Sequence, residues 1–128
     1  MFGNVALHPV LPASDLERAK RWYSEKLGLE PVDVNDYGDL RFRTGGCEFL
    51  VYQSELAGIN KATAAGFRLA DVDGAVAALR SKGVVFMDVD FGEFGATVDG
   101  VISSPDGKEK SAWFKDSEGN ILSLSTSG

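Results

Sequence analysis

His8 is the only histidine in the chain, and imidazole is the one side chain whose ordinary pKa lies near neutrality, so it is the candidate general base. An anion clamp or electrophile to work beside it is available in Arg41, Arg43 and Arg68, because a guanidinium presents paired N–H donors to a carboxylate or a polarised oxygen. Tyr52 and Trp113 offer flat apolar surface with a polar edge, which suits stacking on an organic molecule. Cys47, the only cysteine, has no histidine near it in sequence and reads better as a thiol beside a turn than as a nucleophile. Metal chemistry is poorly supplied. A catalytic zinc takes about three protein ligands and a non-haem iron two histidines with a carboxylate, and one histidine cannot build the second within one chain.

These residues need elements to hold them. Ser14 is placed as a helix N-cap, with Glu17 three residues on to complete a capping box. Leu16, Ala19, Trp22, Tyr23 and Leu27 then recur at helical spacing, and Gly28 stops the helix. Asp71 opens a second helix with Val72, Ala75, Val76 and Leu79 on one face, ended at Lys82-Gly83. Strands are expected at 5–11, 29–34, 39–43 and 48–53 around the first helix, with Gly45-Gly46 as a turn. Around the second they are expected at 65–69, 84–89, 98–103, 111–115 and 120–125, with residues 54–63 as a connector. Asp15 and Asp71 stand 56 residues apart at matching positions. The pattern of a strand, a helix and a run of strands, read twice, points to an internal duplication.

Composition narrows the class of partner. The 128 residues are 44% hydrophobic and 25% charged, ordinary for one folded domain and wrong for a disordered chain. A net charge of −6, with no cluster of basic residues, argues against nucleic acid and against an anionic membrane surface. The amino-terminal apolar run is broken by Asn4, His8, Pro9 and Pro12 and is not read as a signal peptide, so a cytoplasmic home is expected.

Four stretches, HPVLPASDLERAKRWYSEKLGL, GGCEFLVYQ, GFRLADVDGAVAALRSKGVVF and WFKDSEGNILSLS, span most of the chain and resemble the vicinal oxygen chelate superfamily. This is the group of glyoxalase I, bleomycin-resistance proteins and extradiol dioxygenases. The last stretch is similar to the family's Asp-Pro-Asp-Gly-Asn-x-x-Glu-Leu ending. The resemblance implies an α+β fold in a single domain, 1–128. Two tandem βαβββ units, about 1–56 and 62–128, would form an eight-stranded cupped mixed sheet with the helices outside. It also implies pairing as a homodimer.

Metal-dependent relatives place ligands inside the cup. Carried over one by one, those positions fall on His8, Leu50, Ala64 and Ser123, of which only His8 is a ready ligand. No divalent metal and no other cofactor is therefore expected. Alternation along the implied strands puts Val10, Arg41, Arg43, Leu50, Tyr52, Arg68, Trp113, Lys115 and Ser123 inside the cup. That lining suits a small organic molecule. Three readings compete: a metal-free binding protein holding an organic ligand, possibly an antibiotic; a lyase or isomerase using His8 as base or an atypical metal site; and an interaction protein that kept only the fold. The segment from Asp88 to Gly100, with Phe91, Phe94 and three glycines, is a candidate lid.

Overall fold

A computed structural model of the chain describes residues 1–126; residues 127 and 128, the end of the second unit drawn from sequence, lie outside the described residues. Strand β1 (Val10–Ala13) leads into helix α1 (Leu16–Trp22), whose winding widens to a π-turn over Tyr23–Leu27. Asp15, not Ser14, caps α1: its Oδ1 accepts from the Arg18 amide at 3.0 Å. Ser14 is diverted because its own amide is turned onto Glu118, 104 residues away. The helix stops where expected. Gly28 takes φ 68°, which costs glycine nothing, and the Leu29 amide closes back on the Tyr23 carbonyl at 3.0 Å.

The first half continues through β2 (Asp33–Val34), β3 (Leu40–Thr44) and β4 (Cys47–Gln53). The second half is β5 (Thr63–Leu69), α2 (Val72–Ser81), β6 (Val101–Ser103), β7 (Lys110–Lys115) and β8 (Ile121–Thr126). Asp71 caps α2 through the Gly74 amide at 2.9 Å, as expected. Hydrogen bonding divides the eight strands into two sheets of four, ordered β1-β4-β3-β2 and β5-β8-β7-β6. In each, the first and last strands of the unit run parallel and the other pairs antiparallel. The identical order is the duplication made visible.

Several strand expectations need correction. Residues 84–89 form no strand; they pair with β7 only at a bridge from Phe86 to Phe114, where the Met87 amide donates to the Trp113 carbonyl at 2.8 Å. Val84 and Phe86 are nonetheless buried, so their alternation packs the segment on the core rather than into a ladder. The first strand starts at Val10 rather than at residue 5, and it is an edge strand, where Pro12 can sit without breaking a ladder. The expected strands at 29–34 and 98–103 shrink to Asp33–Val34 and Val101–Ser103.

The core lies on the helix side of both sheets. Leu11, Ala13, Phe42, Phe49 and Val51 alternate inward in the first unit, and Ala112, Phe114, Leu122 and Leu124 in the second. Tyr23 packs on Phe42 and Phe49 with ring centroids 5.2 and 5.8 Å apart. Trp22 stacks on Phe114 of the other unit at 6.2 Å. Each such ring contributes about 1.5–3 kcal/mol by leaving water.

One turn ties the units together. Asp116, Glu118 and Asn120 are buried polar residues, and each finds a partner across the duplication. The Tyr23 hydroxyl donates to Asp116 Oδ2 at 2.6 Å, and the Asn120 amide donates to that same oxygen and to the Pro12 carbonyl, each at 2.9 Å. Burial, then the negative charge of Asp116, pushes the Tyr23 phenol well above its usual pKa. Glu118 accepts from the Ser14 and Asp15 amides at 3.1 Å each and from Arg18 at 2.8 and 2.9 Å.

Candidate functional site

Strand register settles which side chains share the face turned away from the helices. In the first unit Val10 stands opposite Leu50, Pro12 opposite Tyr52, Arg41 opposite Leu50 and Arg43 opposite Glu48. His8 lies just before β1 and joins Asp33, Asn35, Arg41, Glu48 and Leu50 around a cleft of about 400 Å³. Thus His8, Arg41 and Leu50 come together, and Arg43 and Tyr52 flank them on the same face.

The two arginines are not free. Arg41 pairs with Asp33, with Nε 2.8 Å from Oδ1, and reaches Glu48 at 3.4 Å. Arg43 closes on Glu48 Oε2 at 2.7 Å through Nη2 and 3.2 Å through Nε. Hydrogen bonding from Arg41 holds the Asp33 carboxyl below its ordinary value, and hydrogen bonding from Arg43 does the same for Glu48. Two cations therefore face two carboxylates, and the cleft presents no net positive charge of its own. The Arg43–Glu48 pair is legible in sequence, because the Gly45-Gly46 hairpin sets those residues opposite each other. The Asp33 contact is not legible, since β2 is only two residues long.

In the second unit the register runs Gly66 opposite Ser123, Arg68 opposite Ser125, Trp113 opposite Ser123 and Lys115 opposite Ile121. Gly66 fits because a Cβ there would sit 2.4 Å from Ser123 Oγ. Trp113 shares the outer face with Ser123 while Phe114 turns to the core. Phe91 lies against Trp113 with centroids 5.3 Å apart, a partner that sequence alone did not assign. Phe91 begins the short 3-10 turn Gly92–Phe94, and Phe94 is 85% exposed. The cleft around His8 contains none of Arg68, Trp113 and Ser123. Arg68 instead borders a separate cavity between β5 and the β3–β4 hairpin.

The sequence itself matches a profile of the Glyoxalase/Bleomycin resistance protein/Dioxygenase superfamily over residues 6–124. The chain belongs to this superfamily. No curated protein sequence matches it. Among solved structures it is similar to a genomically encoded fosfomycin resistance protein from Listeria monocytogenes, at 14% identity and TM-score 0.72, over 96% of this chain and 93% of that one. It is also similar to a lactoylglutathione lyase from Agrobacterium tumefaciens, at 17% identity and TM-score 0.70, with the same coverages of 96% and 93%. An integron cassette protein from the mobile metagenome of the Halifax Harbour sewage outfall matches at 18% identity and TM-score 0.71, covering 97% of this chain and 99% of that one. At these identities the likeness establishes the fold, and the fold leaves the chemistry open.

The superfamily's metal can be tested against the donors present. Of His8, Leu50, Ala64 and Ser123, only the imidazole is a ready ligand for a divalent ion. The carboxylates that share the cleft with His8, Asp33 and Glu48, are committed to Arg41 and Arg43. Among the described residues no three His, Cys, Asp or Glu side chains converge on one point. This donor set does not fit a chelated divalent ion.

Proposed function

We propose that this member of the superfamily is a metal-independent binding protein that holds a small organic molecule against the sheet faces turned away from the helices. The observation that carries the reading is the character of those faces. They offer Val10, Leu50 and Tyr52 in one unit and Trp113 with Phe91 in the other, while the Arg41–Asp33 and Arg43–Glu48 pairs cancel their own charge. Apolar and aromatic surface with few uncompensated charges favours a largely apolar, flat ligand. The Listeria relative is a fosfomycin resistance protein, and an antibiotic is within the class of ligand proposed.

A second copy of the chain belongs to this reading. Phe2, Val5 and Leu7 ahead of β1 are 74%, 60% and 94% exposed, apolar surface that a homodimer would cover. So does a reducing cytoplasm, in which the exposed free thiol of Cys47 persists. No helix among the described residues is long and apolar enough to cross a membrane.

A lyase or isomerase activity is the second reading, favoured by His8 sharing its cleft with Arg41, a base beside an electrophile. One screen separates the two. Chelator-washed protein is melted with organic ligands, with and without divalent metals. A compound that raises the midpoint equally in both conditions, and loses its effect in Trp113→Ala, supports metal-free binding. A shift that needs the metal overturns it. Turnover of the hit that Trp113→Ala retains and His8→Gln abolishes moves the assignment to the enzyme.

A further inference from the structure

We infer that the chain carries a second binding site, on the helix side of the sheets, for a small carboxylate with an apolar body. The site is a cavity of about 350 Å³ between the β3–β4 hairpin and the free edge of β5, within the roughly 300–1,000 Å³ of small-molecule pockets. Strand parity separates its apolar walls from the face proposed above, and Arg68 joins them from the edge strand. Its walls include Leu11, Phe49 and Leu122, which alternate with Val10, Leu50 and Ser123 and point the opposite way. Tyr23 closes the floor from the helix, and Phe67 comes from β5.

The cavity exists because helix cover runs out. Tyr23 packs over Phe42 and Phe49, but the hairpin extends past them to Thr44 and Cys47, and Cys47 is exposed. Sheet surface left bare there is bounded by an edge strand with no partner on that side among the described residues.

Charge selects the occupant. Arg68 is the only charged residue in the lining, which contains no carboxylate. Unlike Arg41 and Arg43, it makes no ion pair among the described residues. An apolar chamber whose lining includes one arginine of the edge strand, without an ion-pair partner among the described residues, is complementary to a molecule with one carboxylate and a hydrocarbon remainder. A cation would meet Arg68 with like charge, and a neutral molecule would forgo the charge-assisted hydrogen bond.

Cys47 lines the same cavity and is the only cysteine, so its accessibility reports occupancy directly. The test follows the rate of its modification by a neutral thiol reagent in the presence of octanoate, octanamide or octylamine. Octanoate should slow modification saturably and bind about tenfold more tightly than octanamide, as expected for one charged hydrogen bond. Octylamine should protect less than either. In Arg68→Gln the preference of octanoate over octanamide should vanish, with the unliganded labelling rate and melting midpoint unchanged. Trp113→Ala should leave octanoate protection intact, which keeps this site's result separate from that of the outer face. Equal protection by acid and amide, protection by neither, or a preference that survives Arg68→Gln would overturn the inference.

Discussion

Replacing Glu118 by glutamine isolates the charge that clamps the two units. The Glu118 side chain is fully enclosed, whereas its partner Arg18 is 45% exposed. Burial by itself pushes this carboxyl up. Hydrogen bonds from Arg18, Ser117 and the Asp15 amide, with the Arg18 charge, outweigh burial and bring the pKa down from 4.5 to about 2. Each tenfold change in proton affinity is about 1.4 kcal/mol, so the ionised clamp contributes about 3 kcal/mol at neutral pH. Because the folded value is depressed, that stability is present above about pH 4.5 and drains away as pH falls toward 2. Glu118→Gln keeps the volume and one acceptor but not the charge. Urea unfolding followed by circular dichroism should find it about 3 kcal/mol less stable at pH 7, a midpoint lower by about 1–3 M at typical urea slopes. The gap should close to under about 1 kcal/mol near pH 2.5. Other carboxylates titrate alike in both proteins and cancel in the difference. Two parallel profiles with a constant gap would refute the reasoning, assigning the effect to shape and not to ionisation.

Tyr23→Phe removes the hydroxyl that satisfies Asp116 and should cost about 1–3 kcal/mol in a thermal or chemical melt. In the parent protein the raised Tyr23 phenol makes stability fall as pH rises past about 10, because the unfolded chain ionises there and the folded one does not; Tyr23→Phe should flatten that alkaline limb. Gly28→Ala forces alanine into φ 68° and should destabilise by about 1 kcal/mol in urea. Glu48→Gln removes the carboxylate held by Arg43, so added sulfate should raise the variant's melting midpoint more than the parent's; identical responses would contradict the neutralised cleft.

What was legible in the sequence followed from strong local chemistry. Asp71 and Gly28 act as cap and stop where their types demand it. The face shared by Arg41, Leu50 and Tyr52 follows from strict alternation, as does the outward turn of Trp113. Local rules failed where a distant residue competed. Ser14 had the cap signature, but Glu118 took its amide. The 84–89 run had strand character, yet its backbone pairs with β7 only at the Phe86–Phe114 bridge and turns to Thr97 at Val89. Arg68 had the parity of a cup residue and borders the cavity beside the β3–β4 hairpin instead, because β5 pairs with β8 on one side and is an edge on the other. Charge pairing was the largest omission, since Asp33 meets Arg41 only through tertiary approach of a two-residue strand.

The turn that caps α1 also fixes a schedule. Ser14 and its acceptor Glu118 are separated by 104 residues, so at roughly 5–20 residues per second a ribosome needs about 5–20 s to supply the second after the first. Until then the first helix has Asp15 as its side-chain cap but not the buried carboxylate, and Tyr23 has no Asp116 to bond. The nascent first unit must wait with an aromatic face bared, exposed to chaperones and to neighbouring chains. A chain cut short before residue 118 would hold nearly every strand of the fold and lack the group that locks its halves. Quality control of the first unit thus falls on the turn that carries Asp116 and Glu118, which certifies the first helix.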